Sequence, residues 1–306
     1  MSVLFTFPGQ GSQVPGMLRS LPDHPAVART LAEARGALGH DPRELDSAEA
    51  LASTVAVQLS LLVAGVATAR VLIARGAAPD MVAGMSVGAF PAAVVAGALD
   101  FRDAVRVVAL RGHLMESAFP EGYGMTAVVG LDRYQLDALV ARVHAAATPV
   151  FVANHNAERQ IVIAGAHAAM RAVAALALAQ GATRCEPLAV GVPSHCALLA
   201  PAAAAMKTAL SALVLQRPRL TYLSSSAARA LADPARIADD LADNMARQVN
   251  WPDTVRLAWE RGARLALEMP SGNVLTGLTQ PAFADGLAVC CENNRIETVA
   301  ALVARG

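Results

Sequence analysis

Gly84-Met85-Ser86-Val87-Gly88 sets a serine between two glycines, directly after the apolar run Met81-Val82-Ala83. A serine in a tight strand-to-helix turn has its hydroxyl pushed out at the helix start, where it can attack an acyl carbon. The glycines let the chain reverse there without a Cβ clash. A serine hydroxyl is a weak nucleophile and needs a base. Of the seven histidines, His24, His40, His113, His144 and His167 sit in polar or helix-surface surroundings. His155 lies in Asn154-His155-Asn156, a loop that could face a cleft but has no adjacent acid to orient the ring. His195 follows the bend Gly191-Val192-Pro193-Ser194, whose serine is placed to cap the next helix, so the imidazole is presented at a helix start. Arg111 is the third reactive candidate. Val107, Val108, Arg111, Leu114 and Met115 are spaced by three and four, which puts the guanidinium in the apolar stripe of its own helix. Two readings are open: a salt bridge to a buried Asp or Glu, or a carboxylate that arrives with the substrate and is gripped bidentately by the planar fork. On the second reading the acyl group is dicarboxylic.

These residues need a scaffold. Residues 3–7 read as a strand that stops at Pro8-Gly9-Gln10-Gly11-Ser12-Gln13, a βα junction. From about Asp46, with Glu49 as a capping-box variant, the positions Leu51, Val55, Leu59, Leu62 and Val66 predict a helix that ends at Gly76. The strand at 81–83, the serine turn and a helix over 90–95 then complete a β-turn-α unit. This order predicts an α/β fold with a parallel sheet. Between residues 122 and 189 short strands at 126–130, 149–153 and 160–165 alternate with helices, which predicts a small inserted α+β unit of ferredoxin-like type. The stretch 184–190 leads back to the main domain.

Composition narrows the function. The 306 residues are 55% hydrophobic but only 4% aromatic, and the formal net charge is zero. There is no basic cluster with interleaved aromatics, so nucleic acid is not an expected partner. Arg70 and Arg75 interrupt the longest apolar run, and the N-terminus lacks a basic region before an apolar one, so neither a membrane span nor a signal peptide is expected. A cytoplasmic protein follows from this reading. Cys185, Cys196, Cys290 and Cys291 have neither metal-ligand spacing nor the density of a disulfide scaffold, and no metal or cofactor is expected.

Taken together, Phe7-Pro8-Gly9-Gln10-Gly11-Ser12-Gln13, the turn at Ser86, Arg111-Gly112, Val192-Pro193-Ser194-His195 and Gly272-Asn273-Val274-Leu275-Thr276-Gly277-Leu278 are similar, in order and spacing, to the malonyl-CoA:acyl carrier protein transacylases. The resemblance implies a hydrolase-like core, residues 1–121 and 190–306, with a ferredoxin-like subdomain over 122–189. It implies Ser86 as acyl acceptor and His195 as its base, with the imidazole oriented by a backbone carbonyl rather than an acid. Arg111 would grip the malonyl carboxylate, and the backbone N–H groups of Gln10 and Val87 would receive the oxyanion, the latter helped by its place at a helix start. The orienting segment is Leu241-Ala242-Asp243-Asn244-Met245, where Asn244 replaces the glutamine common in the family and joins the substrate-binding set. The partners implied are malonyl-CoA and an acyl carrier protein bearing a phosphopantetheine-type thiol. Exposed arginines such as Arg217 and Arg219 would face an acidic carrier or simply solvent.

Family members of fatty-acid synthesis usually read Gly-His-Ser-Leu-Gly-Glu at the turn. Met85, Val87, Ala89 and Phe90 instead resemble the epsilon transacylase of malonate decarboxylase, which implies the decarboxylase's own carrier subunit as acceptor. A housekeeping transacylase of fatty-acid or polyketide synthesis is the alternative. Two further readings are an α/β-hydrolase esterase and a non-catalytic docking scaffold. The esterase would require an acid before a late histidine, whereas His195 is the last histidine in the chain.

Overall fold

The computed structural model describes residues 2–119 and 121–305. The chain opens with β1 (Ser2–Phe7), α1 (Pro25–Leu38), α2 (Thr54–Ala74), β2 (Met81–Gly84), α3 (Ala89–Val95) and α4 (Phe101–Ala118). It continues through β3 (Tyr123–Val129), α5 (Arg133–Val143), β4 (Val150–Ala157), β5 (Gln160–Ala166), α6 (His167–Ala179) and β6 (Arg184–Pro187). The last part holds α7 (Ala200–Ser211), β7 (Thr221–Ser224), β8 (Arg229–Leu231), α8 (Pro234–Asp243), β9 (Val249–Asn250), α9 (Trp251–Glu260), β10 (Ala263–Glu268), α10 (Val274–Thr279), β11 (Leu287–Cys290) and α11 (Ile296–Arg305).

A six-stranded sheet runs in the order β11-β10-β1-β2-β7-β8, parallel except for the edge hairpin β7–β8. Side chains alternate across a strand, so the core splits on either side of β1. Val3, Phe5 and Phe7 join the core built with α2, α3 and α4. Leu4 joins Met81, Trp251 and Phe283 on the other face. Both faces are covered, which is why β1 and β2 read as mostly apolar runs.

The second sheet has the order β6-β3-β5-β4-β9. Its elements from β3 to β6 follow a β-α-β-β-α-β course with antiparallel pairing, and α5 and α6 enclose a core of their own with Val128, Ile161 and Ile163. Two findings differ from the sequence reading. Arg184–Pro187 pairs with β3 as the fourth strand of this sheet and does not yet lead back to the six-stranded one. Val249–Asn250, from the distal part of the chain, adds a fifth strand beside β4, in parallel.

α2 also differs. It begins at Thr54, capped by Ser53, rather than at Asp46. The Asp46 carboxylate is wholly buried and accepts from the Leu18 and Arg19 backbone N–H groups and from the Arg19 guanidinium. A side chain spent on pinning a distant loop cannot cap a helix, and residues 50–52 form only a 3-10 turn. The far end is as read, with Gly76 in the left-handed region just past the helix. With 21 residues, α2 is long and apolar enough to cross a membrane by length and composition, Arg70 notwithstanding, yet 89% of its most apolar window is buried inside the protein.

Candidate active site

Ser86 stands between β2 and α3 with φ of 56°, in the left-handed region that a non-glycine residue enters only under constraint. The constraint comes from its two glycines. A Cβ at Gly84 would lie 2.0 Å from the carbonyl carbon of Gly88, and one at Gly88 would lie 2.1 Å from the Phe7 carbonyl oxygen. Neither glycine has a positive φ; each is needed for close approach, and the unusual dihedral falls on the serine itself. Two hydrogen bonds hold the turn down. The Met85 N–H donates to the Phe7 carbonyl at 3.0 Å, and Ser225 Oγ donates to the Gly84 carbonyl at 2.8 Å. The turn is thereby stacked on the end of β1, which brings the loop at Gly9 and Gln10 beside Ser86.

Arg111 enters from α4. A Cβ at Gly112 would lie 2.7 Å from Val55 Cα, so the glycine lets α4 approach α2 and carries Arg111 to Gln58. Arg111 is fully buried. Nη1 donates to Gln58 Oε1 at 2.7 Å, and Nη2 donates to Ser86 Oγ at 3.2 Å and to Asn244 Oδ1 at 3.1 Å. Nε has no acceptor. Every partner is neutral, and among the described residues no carboxylate pairs with this guanidinium. Burial alone pushes its pKa down to about 9, which leaves it charged at neutral pH. Of the two readings open in the sequence, the internal salt bridge is not formed.

His195 lies on the segment after β6, also with positive φ, 61°, and is 3% exposed. Its backbone N–H donates to the Met245 carbonyl at 2.6 Å. Ring Nδ1 lies 2.7 Å from the Asn244 carbonyl and 3.1 Å from that of Arg247. Carbonyls only accept, so in the neutral ring the proton is on Nδ1 and the lone pair is on Nε2. Burial, reinforced by the Arg111 charge, lowers the imidazole pKa to about 4 against the two carbonyls that favour the cation. A neutral base results. Ser194 does not cap a helix as its position suggested: its hydroxyl turns back to the Val192 carbonyl at 3.4 Å, and the following turn has no side-chain cap. The reason is the left-handed His195, which turns the chain between the serine and the helix.

Ser86, Arg111, His195, Gln10 and Val87 all line one cavity of about 310 Å³. The backbone N–H groups of Gln10 and Val87 have no acceptor among the described residues, as befits a loop end and a helix start. No hydrogen bond joins Ser86 to His195; the serine Oγ is held by Arg111. Asn244, placed with the substrate-contacting residues by sequence, does not line the cavity and is 3% exposed. Its Nδ2 donates to the Ser86 carbonyl at 3.3 Å. Arg217 and Arg219 are exposed and do not line the cavity either.

The sequence reading missed several of the lining residues. Gln58 is the one buried side-chain amide in a mostly apolar helix, and that was a usable signal. Asn154 and Asn156 also line the cavity, on β4 rather than in a loop, while His155 does not line it. Both asparagines are more than nine-tenths buried, and neither Oδ1 has a partner. Such a site can bind a carboxylate at a buried cation, acylate a serine beside it, and offer amide acceptors to a polar chain lying along the second sheet.

The acyl transferase domain family matches residues 4–302. The chain is similar to the malonyl CoA-acyl carrier protein transacylase of Escherichia coli K12, 39% identical over 307 residues that cover 97% of this chain and 98% of that one. An acyl-carrier-protein S-malonyltransferase from Burkholderia pseudomallei 1710b superposes with a TM-score of 0.93 at 34% identity, covering 98% of this chain and all of the other. A malonyl-transacylase solved with its type II polyketide-synthase acyl-carrier protein superposes with a TM-score of 0.92 at 37% identity, covering 98% and 99%.

Proposed function

The chain belongs to the malonyl-CoA:acyl carrier protein transacylase family, and from that premise we propose that it is an acyl-carrier-protein S-malonyltransferase of the kind that supplies fatty-acid or polyketide synthesis. One observation carries the acyl preference: a fully buried guanidinium with only neutral partners, 3.2 Å from the serine hydroxyl. In this reading the core is hydrolase-like, with the segment from β3 to β6 as a ferredoxin-like subdomain.

The malonyl carboxylate takes the Arg111 fork, and the thioester carbonyl lies toward the N–H groups of Gln10 and Val87. Ser86 Oγ attacks the carbonyl carbon while His195 Nε2 takes its proton. The C–O bond forms, and the carbonyl oxygen becomes an oxyanion held by the two N–H groups. Collapse breaks the C–S bond, and the imidazolium returns the proton to the departing CoA sulfur. The malonyl-serine ester is then opened by the carrier thiol, whose proton passes through His195 to Ser86 Oγ. The amide-bearing arm common to CoA and the carrier lies along the wall where Asn154 and Asn156 hold their unpartnered oxygens. An esterase triad has no support, since Nδ1 of His195 faces carbonyls and no acid.

A second reading is favoured by the turn residues Val87, Ala89 and Phe90: transfer to the carrier subunit of a malonate decarboxylase. Incubation with malonyl-CoA followed by mass spectrometry should find malonyl on the peptide containing Ser86. Transfer rates to a phosphopantetheine carrier and to the decarboxylase carrier then separate the two acceptors. Absence of the adduct would leave only a docking role.

A further inference from the structure

Every polar contact of the Asn244 side chain falls on the reacting groups, although the residue does not line the cavity. Oδ1 accepts from Arg111 Nη2 at 3.1 Å, and Nδ2 donates to the Ser86 carbonyl at 3.3 Å. The main-chain carbonyl of the same residue accepts from His195 Nδ1 at 2.7 Å. The backbone link is the one the family resemblance implies. The side-chain links are separate from it, and they tie the guanidinium to the serine turn.

A guanidinium has about five N–H bonds to place. Three have acceptors here, on Gln58, Ser86 and Asn244, and two do not. The two anchors that do not react, Gln58 and Asn244, are both amide oxygens. An amide oxygen fixes the plane and direction of the fork and leaves its charge intact; a carboxylate in either place would pair with the charge and remove it. The support behind Asn244 is rigid. It follows α8 directly, and α8 is tied to β7 by Asp240, whose buried carboxylate accepts from Tyr222, Ser224 and Ser226 at 3.0, 2.5 and 2.7 Å. Holding a long side chain in its bound rotamer beforehand spares the ordering that a ligand would otherwise have to impose. An acyl group without a second carboxylate gains nothing from that arrangement.

We propose that the Asn244 side chain is a positioning residue that aims the Arg111 fork, and that its neutrality is what keeps the fork available to a dicarboxylic acyl group. This rests on the reading of Arg111 given under the proposed function. Asn244, where the family commonly has glutamine, reaches Arg111 and the serine turn together.

The test measures kcat and KM for malonyl-CoA and acetyl-CoA with a carrier thiol as acceptor, in Asn244→Asp, Asn244→Ala, Asn244→Gln and Arg111→Ala. Asn244→Asp should lower the malonyl-to-acetyl ratio of kcat/KM by about tenfold or more, because the new carboxylate occupies the fork while the main chain still holds His195. Asn244→Ala should raise the malonyl KM roughly tenfold with a smaller change in kcat, and Asn244→Gln should restore the malonyl-to-acetyl ratio to within about threefold. Thermal unfolding identifies any variant that fails to fold, and Asn244→Ala then carries the test alone. A ratio unchanged in folded Asn244→Asp and Asn244→Ala, while Arg111→Ala collapses it, overturns this inference and leaves the reading of Arg111 standing. A ratio unchanged in Arg111→Ala as well overturns both.

Discussion

Arg111 Nη2 donates to Ser86 Oγ across 3.2 Å, so the cation proposed to hold the acyl carboxylate rests on the nucleophile itself. An oxygen that accepts a charge-assisted hydrogen bond has one lone pair engaged. A carboxylate bound as proposed would compete for the same N–H and release that lone pair, which would link recognition of the acyl group to readiness of the serine through one nitrogen.

Replacing Arg111 by alanine should therefore divide the two acyl groups. Malonyl transfer loses its partner for a buried charge and falls by about 100-fold or more, whereas acetyl transfer is spared or rises. Steady-state kcat/KM for both CoA esters checks this. Equal losses for both would mark the arginine as purely structural.

The acidic limb of the pH profile should lie near 4 rather than at the ordinary histidine value of 6.5. With the neutral ring as the proposed base, a lowered pKa should keep the enzyme active further down the pH scale. In Arg111→Ala the neighbouring positive charge is gone, and the limb, followed with acetyl-CoA, should move up. The same shift has a cost in stability. The unfolded chain takes up this proton first, so the contribution of His195 turns unfavourable as pH falls from 6.5 toward 4. A kcat/KM profile with its acidic limb at 6.5 would refute the assignment.

Gly84→Ala should unfold or distort the serine turn, since its methyl would stand 2.0 Å from the Gly88 carbonyl. A destabilisation of about 3 kcal/mol or more is expected from overpacking against backbone, with loss of the malonyl adduct. Gly277→Ala is the control, because a Cβ there meets nothing within 4 Å. Thermal melts of the two variants should differ clearly.

Asn154→Ala should raise KM roughly tenfold for malonyl-CoA and acetyl-CoA alike, because the arm is common to both and the amide contact is lost. The malonyl-to-acetyl ratio should stay constant. A changed ratio would move Asn154 from the arm to the acyl end of the cavity.

Much of this was legible in the sequence where chemistry follows from short spacing. The glycines at 84 and 88 announced a sharp turn, and the three-and-four pattern around Arg111 put a guanidinium in an apolar stripe; α4 does bury it. The strands read at 3–7, 81–83 and 160–165 appear within a residue or two of those positions. Where the reading failed, another contact or an unexpected backbone turn had overridden a local signal. Asp46 looked like a helix start and is held by Leu18 and Arg19 instead. Ser194 looked like a cap, and a left-handed His195 intervenes.

The sequence alone determined the type of each reactive group and the turn or helix that carries it, because such patterns act within a single helical turn or strand. Only the tertiary structure decided what those groups meet. Arg111 finds Gln58 across 53 residues and Asn244 across 133, and His195 finds its orienting carbonyl across 49. Contacts over such separations depend on how close two helices can pack and where a turn is stacked; a methyl group at Gly112 would press on Val55 of α2, and one at Gly88 on the end of β1.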